Sequence, residues 1–129
     1  MRIRTTATAL AGAVFAAGLV AGGAAPAQAA RKPTCGGKAY EMWMCFYPDG
    51  DKFCITNKSK VRGNHVEIEW FAPYKGKGGR VVNKKGYNKT VCKSYSASLK
   101  EKRKVNFRGW LYNGGGTPID MSKGFSATT

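Results

Sequence analysis

Residues 42–57 read Met-Trp-Met-Cys-Phe-Tyr-Pro-Asp-Gly-Asp-Lys-Phe-Cys-Ile-Thr-Asn, and this stretch decides the fold. Two apolar, β-prone runs flank a Pro-Asp-Gly turn, a strong local hairpin signal. With an even loop, Tyr47 faces Lys52, Phe46 meets Phe53, Cys45 meets Cys54 and Met44 meets Ile55. Met44, Phe46, Phe53 and Ile55 then share one face, and Trp43 and the cysteines share the other. A type I turn with Gly50 as a G1 bulge competes; it pairs Cys45 with Phe53 and sends the cysteines to opposite faces. The even register is preferred because it groups four apolar residues while keeping the period of two.

Outward from the hairpin, the chain opens as an export signal. Arg2 and Arg4 precede an apolar run of small residues over 7–20, and Ala-Pro-Ala and Ala-Gln-Ala follow within 25–30. Cleavage is expected after Ala29, giving a signal peptide over 1–29 and one secreted basic domain over 30–129. No later apolar stretch is long enough to span a bilayer, so a soluble, extracellular product without a membrane span is expected once the signal is removed.

A domain of this size buries a modest core and gains from covalent staples. Cys35, Cys45, Cys54 and Cys92 are an even number in an oxidising compartment, which argues for two disulfides. Of the three possible pairings, Cys45–Cys54 with Cys35–Cys92 is preferred, since directly opposed residues come near disulfide range. With one histidine and no Cys-x-x-Cys pair, neither a metal nor another cofactor is expected.

The rest of the chain alternates short β-like segments with turns. In 65–71, Val66, Ile68 and Trp70 are expected in the core and His65, Glu67 and Glu69 in solvent. Residues 73–80 read as a loop rich in Gly and cations, 87–97 as a strand, 99–104 as a hairpin tip and 104–112 as a strand with Val105, Phe107 and Leu111 inward. Residues 117–129 add one weak strand. No convincing helix is visible. The fold class is all-β, a small antiparallel β-sandwich or barrel stapled by two disulfides.

Charge is the most prominent compositional feature. The chain carries 22 Lys and Arg against 7 Asp and Glu, a formal +15; removing Arg2 and Arg4 leaves 20 against 7, or +13. Such an excess favours anionic partners and speeds encounter with them, without specifying a fold. Two stretches concentrate it. Tyr74, Lys75, Lys77 and Arg80 lie in the Gly-rich segment, followed by Lys84 and Lys85; it resembles a phosphate cradle in composition but lacks the Walker spacing. Lys100, Lys102, Arg103 and Lys104 form a run suited to sulfated sugars, nucleic acid or anionic wall polymer, with Tyr74, Trp70 and Tyr112 as stacking candidates. The plain alternatives are a solvated loop and a charged tip that protects a sheet edge.

His65, Glu67 and Glu69 at two-residue spacing raise the question of general acid–base chemistry on RNA. Neighbours on one strand rarely converge on one substrate atom, and glutamates meeting lysines across strands explain the pattern more simply. The first functional expectation is therefore a non-enzymatic binding protein for an anionic polymer or acidic protein surface, antimicrobial if the polymer is bacterial wall. The second is an inhibitor or adaptor with a protein partner in a secreted complex, using Trp43, Tyr47 and Tyr74. The third is a small secreted ribonuclease.

Cys35-Gly36 and the Gly-containing turn before Lys52-Phe53-Cys54-Ile55-Thr56 resemble small secreted spore-associated proteins of filamentous bacteria over a short part of the chain. Cys45, and the lack of a cysteine after Cys92, depart from that pattern. The resemblance implies a compact exported β-domain without assigned chemistry.

Overall fold

The computed structural model describes residues 29–129, and the expected signal peptide lies, but for its last residue, outside them. Nine strands form two antiparallel sheets, with no helix among the described residues. The first sheet has the order β1 (Thr34–Lys38), β2 (Met42–Tyr47), β3 (Lys52–Asn57), β6 (Thr90–Ser94). The second has the order β5 (Lys77–Asn83), β4 (His65–Ala72), β7 (Lys104–Tyr112), β8 (Pro118–Met121), with β9 (Phe125–Thr128) also on β7. The all-β, two-disulfide sandwich expected from the sequence is the architecture observed.

The β2–β3 hairpin takes the even register: Tyr47 opposes Lys52, Phe46 opposes Phe53 and Cys45 opposes Cys54. Gly50 and Asp51 both adopt positive φ, 89° and 45°, so the loop holds four residues instead of closing into the G1 bulge. Met44, Phe46, Phe53 and Ile55 are fully buried. They meet Val66, Ile68 and Trp70 of β4 and Val105, Phe107 and Leu111 of β7 in one core. Phe53 sits at its centre, 4.7 Å from Phe46, 5.5 Å from Phe107 and 5.9 Å from Trp70 between ring centroids. Gly109, in mid-β7, leaves the space that the Met42 and Met44 sulfurs of the opposite sheet occupy, so a side chain there would wedge the sheets apart.

The disulfides are Cys35–Cys45 and Cys54–Cys92, which corrects the preferred pairing. The four cysteines lie in one row across the first sheet, Cys35 opposite Cys45, Cys45 opposite Cys54 and Cys54 opposite Cys92. In an antiparallel sheet each residue points its N–H and C=O at one neighbour only, and pairs on the bare side approach more closely. The bonded pairs have Cα separations of 4.1 and 4.0 Å, the close non-hydrogen-bonded kind. Cys45 and Cys54 therefore face each other across backbone hydrogen bonds. Cys35 and Cys92 sit on opposite edge strands, about 14 Å apart at three strand spacings.

Three further expectations change. The Gly-rich segment is a loop only over 73–76; Lys77, Gly78, Gly79 and Arg80 belong to β5. Gly79 is required there because its Cβ would meet the Trp70 indole, which lies against it. Residues 95–103 are not a hairpin tip but a crossover between sheets, since β6 and β7 pair with different partners. The tail forms two short strands, β8 and β9. Phe125 of β9 fills the space over Gly36 of β1, closing one side of the sandwich. The Tyr95 hydroxyl closes the other by donating to the Arg80 carbonyl at 2.9 Å.

Candidate functional site

The outer face of the five-stranded sheet follows from register. Glu69 of β4 opposes Arg80 of β5 on one side and Arg108 of β7 on the other, and Phe71 opposes Gly78 and Asn106. Glu67 opposes Val82 and Trp110, and His65 opposes Tyr112. The even-numbered residues of β7 thus line up with the odd-numbered residues of β4, one chemistry-bearing row beside another.

These groups form a ladder. Arg108 Nε donates to Glu69 Oε2 at 3.0 Å, and Trp110 Nε1 donates to the same oxygen at 3.0 Å. The Trp110 hydrogen bond, followed by that of Arg108, holds the Glu69 carboxyl below the ordinary carboxylate range. Arg80 spans Glu67 at 3.4 Å and Glu69 at 3.9 Å. His65 Nε2 lies 3.3 Å from Glu67 Oε1 and its ring stacks on Tyr112 with centroids 4.9 Å apart. His65 and Glu67 are each only 9% exposed, so the strand face expected in solvent is roofed by its neighbours. His65 and Glu67 are thus in direct contact with each other. The ladder organises charge.

Beside it lies a groove of about 780 Å³ whose floor is the sheet itself, three consecutive residues from each of four chain segments: 69–71, 78–80, 106–108 and 124–126. Gly78 presents no side chain on one flank of the half-exposed Phe71, Asn106 stands on the other, and Gly124 adds no side chain at the groove's far side. The Arg108 guanidinium lies 5.1 Å from the Trp110 ring centroid, and the Ser126 hydroxyl bonds the Asn106 side-chain oxygen at 2.6 Å.

The cations expected to bind fall into separate groups. At the end where β5 and β7 begin, Tyr74, Lys75, Lys100 and Arg103 are drawn together: the Lys100 amide donates to the Tyr74 hydroxyl at 2.7 Å, Arg103 lies 5.8 Å from the Tyr74 ring centroid, and Lys75 bonds the Ser98 carbonyl. Lys102 and Arg103 are clasped through their amides by Thr129, at 2.8 and 3.1 Å. Lys77 lies at the start of β5, and Lys104 starts β7 on the same outer row as Asn106 and Arg108. Lys84 and Lys85 lie at the far end of β5, where fully buried Asn83 fastens the turn by accepting from the Lys85 amide at 3.0 Å. Trp70 is core, and Tyr112 is eight residues along β7 from Lys104, about 26 Å away, so neither joins the basic run.

Of the residues singled out from the sequence, Arg80 as a binding cation and Glu69 as a candidate acid–base group line the groove; Phe71, Asn106, Arg108 and Ser126 join them without a functional signal in the local pattern. Alternation along 104–112 marks the outward set, but which strand lies beside it is not a local property.

The outer face of the first sheet is different. A second, smaller hollow is bounded by Cys45, Cys54, Cys92, Trp43, Tyr47, Lys52, Thr56 and Thr90. Trp43 is 49% exposed, and Lys52 lies 5.1 Å from the Tyr47 ring centroid. No known protein family, curated protein or solved structure matches the chain.

Proposed function

We propose that the protein is a secreted, non-enzymatic β-domain that binds an anionic extracellular target: wall polymer, nucleic acid or an acidic protein surface. One observation carries this reading. Of the seven carboxylate side chains, six are taken up by four cations: Arg31 holds Asp49 and Glu101, Lys38 holds Glu41 and Asp120, Arg80 holds Glu67 and Glu69, and Arg108 also holds Glu69. The seventh, Asp51, is buried at 3% exposure. The described residues contain 20 Lys and Arg, the chain's 22 less Arg2 and Arg4, so 16 have no carboxylate partner there. The positive charge is uncompensated and faces outward. Two disulfides are compatible with an extracellular setting.

Polyelectrolyte contacts release counterions, so binding should fall linearly in log affinity against log salt. Retention of residues 30–129 on heparin and on purified wall, measured at two salt concentrations, tests this; retention insensitive to salt counts against it. Replacing both Lys100 and Arg103 by Ala should lower the slope by about 2, one for each lost phosphate or sulfate contact.

A second reading, an inhibitor or adaptor for a protein partner, has the Trp43 and Tyr47 face in its favour. Exposed aromatics on a covalently stapled sheet lose little freedom on binding. One stoichiometric partner captured from culture fluid, lost with Trp43→Ala, would favour it.

A further inference from the structure

We propose that the groove on the outer face of the five-stranded sheet seats single-stranded nucleic acid, with a base stacked on Phe71 and phosphates on Arg108, Arg80 and Lys104. This rests on the anionic-target reading and narrows it.

The argument begins with Phe71. Phe46, Phe53 and Phe107 are buried in the core, whereas Phe71 is 47% exposed on a strand whose alternation turns it away from that core. Gly78 opposite it carries no side chain, so one flank of the ring is left open to a planar group. Base–aromatic stacking is tolerant of base identity and needs little beyond such a ring.

The cations beside it are pre-organised. Arg108 spends only its Nε on Glu69, at 3.0 Å, and its guanidinium lies 5.1 Å from the Trp110 ring centroid. Both Nη groups are without an acceptor among the described residues, leaving the outward fork that recognises phosphate geometry. Arg80 is braced by two carboxylates and remains half-exposed. Holding these side chains beforehand removes part of the ordering cost of binding. Asn106 accepts from Ser126 through its oxygen and keeps its amide N–H groups for a base edge.

The groove also opens in the right direction. Lys104 lies two residues before Asn106 on the same row of β7, so the phosphate path continues to the cluster around Lys100 and Arg103. A sulfated glycan or an acidic peptide would answer the charge but offers no base for Phe71. The volume, about 780 Å³, lies within the range of closely fitted small-ligand sites.

Fluorescence anisotropy with a labelled oligothymidylate tests this on the mature chain, beside an abasic oligomer of equal length, heparin and polyglutamate. Base-bearing oligomer should bind about tenfold more tightly than abasic, and Phe71→Ala should remove that margin while Phe71→Trp keeps it. Abasic affinity and heparin retention should be unmoved by Phe71→Ala, and near-ultraviolet circular dichroism should confirm that the variant is folded. If the oligomer binds but abasic chains or polyglutamate bind equally well, the nucleic-acid inference fails and general polyanion binding stands. If Phe71→Ala changes nothing, the inference fails in the same way. If neither oligomer nor heparin binds at low salt, both readings fall together.

Discussion

The two outer faces of the sandwich are each crossed by a row of side chains that ties strands together, and the rows use opposite chemistry. On the four-stranded sheet the row is covalent, Cys35–Cys45 beside Cys54–Cys92, flanked by Trp43 and Tyr47. On the five-stranded sheet it is ionic, Arg80–Glu69–Arg108, backed by Trp110 and by the His65–Glu67 pair. A covalent tie is indifferent to salt and adds no charge to its face. An ionic tie responds to salt and pH and leaves oriented guanidiniums at the surface. The first face is suited to holding the fold, and the second to meeting a charged ligand.

The largest effect that would break this contrast is loss of a disulfide. In the chain-entropy account, removing Cys54–Cys92, at a sequence separation of 38, should cost about 4 kcal/mol, and removing Cys35–Cys45, at 10, about 3 kcal/mol. Urea unfolding of paired Cys→Ser variants measures both. Peptide mapping under non-reducing conditions should return 35–45 and 54–92, and a 45–54 fragment would overturn the row as drawn.

Next in size is Glu69→Ala, which strands Trp110 Nε1 and Arg108 Nε; with the site about one-third exposed, roughly 1 kcal/mol is expected, shrinking at high salt. The disulfide variants should show no comparable salt dependence.

The ionic face should also be the acid-sensitive one. Trp110 and Arg108 hold the Glu69 carboxyl below its ordinary value. Its contribution is therefore fully present above the ordinary carboxylate range and is lost as pH falls through the lowered folded value. Melting temperatures taken downward from pH 6 should fall in that window, and less steeply in Glu69→Gln.

The smallest expected effect has the opposite sign. Asp51 is buried, burial pushes its carboxyl up, and one of its oxygens has no hydrogen-bond partner. Asp51→Asn removes the buried charge, and asparagine tolerates the φ of 45°, so a gain of up to about 1 kcal/mol near neutral pH is expected in thermal melts. No gain would mean that the site is wetter than its burial implies.

Much of this molecule is legible residue by residue. Alternation in 65–71 and 104–112 names which side chains face the core, and in 42–57 the even hairpin register does so by grouping Met44, Phe46, Phe53 and Ile55 on one face, where a one-residue slip would turn them outward. The strand from Lys77 to Asn83 is not legible, because two glycines hide its alternation; they are there to accommodate Trp70 from the neighbouring strand. The Lys100–Lys104 run is legible as charge, yet its association with Tyr74 depends on a crossover between sheets that local pattern reads as a hairpin tip.

The sequence by itself determined that the chain is a basic, disulfide-stapled antiparallel β-domain, sandwich or barrel, because the period of two and the charge count are properties of neighbours along the chain. Only the tertiary structure decided which cysteines bond and where a groove lies. A strand's alternation tells each side chain which face to take but not which strand stands beside it. Nor does it say on which side of that strand the backbone spends its hydrogen bonds. Cys45 faces both Cys35 and Cys54, and the bare side of the ladder chooses Cys35. Glu69, Arg80, Arg108 and Phe71 become one surface for the same reason, when β5 and β7 settle on either side of β4.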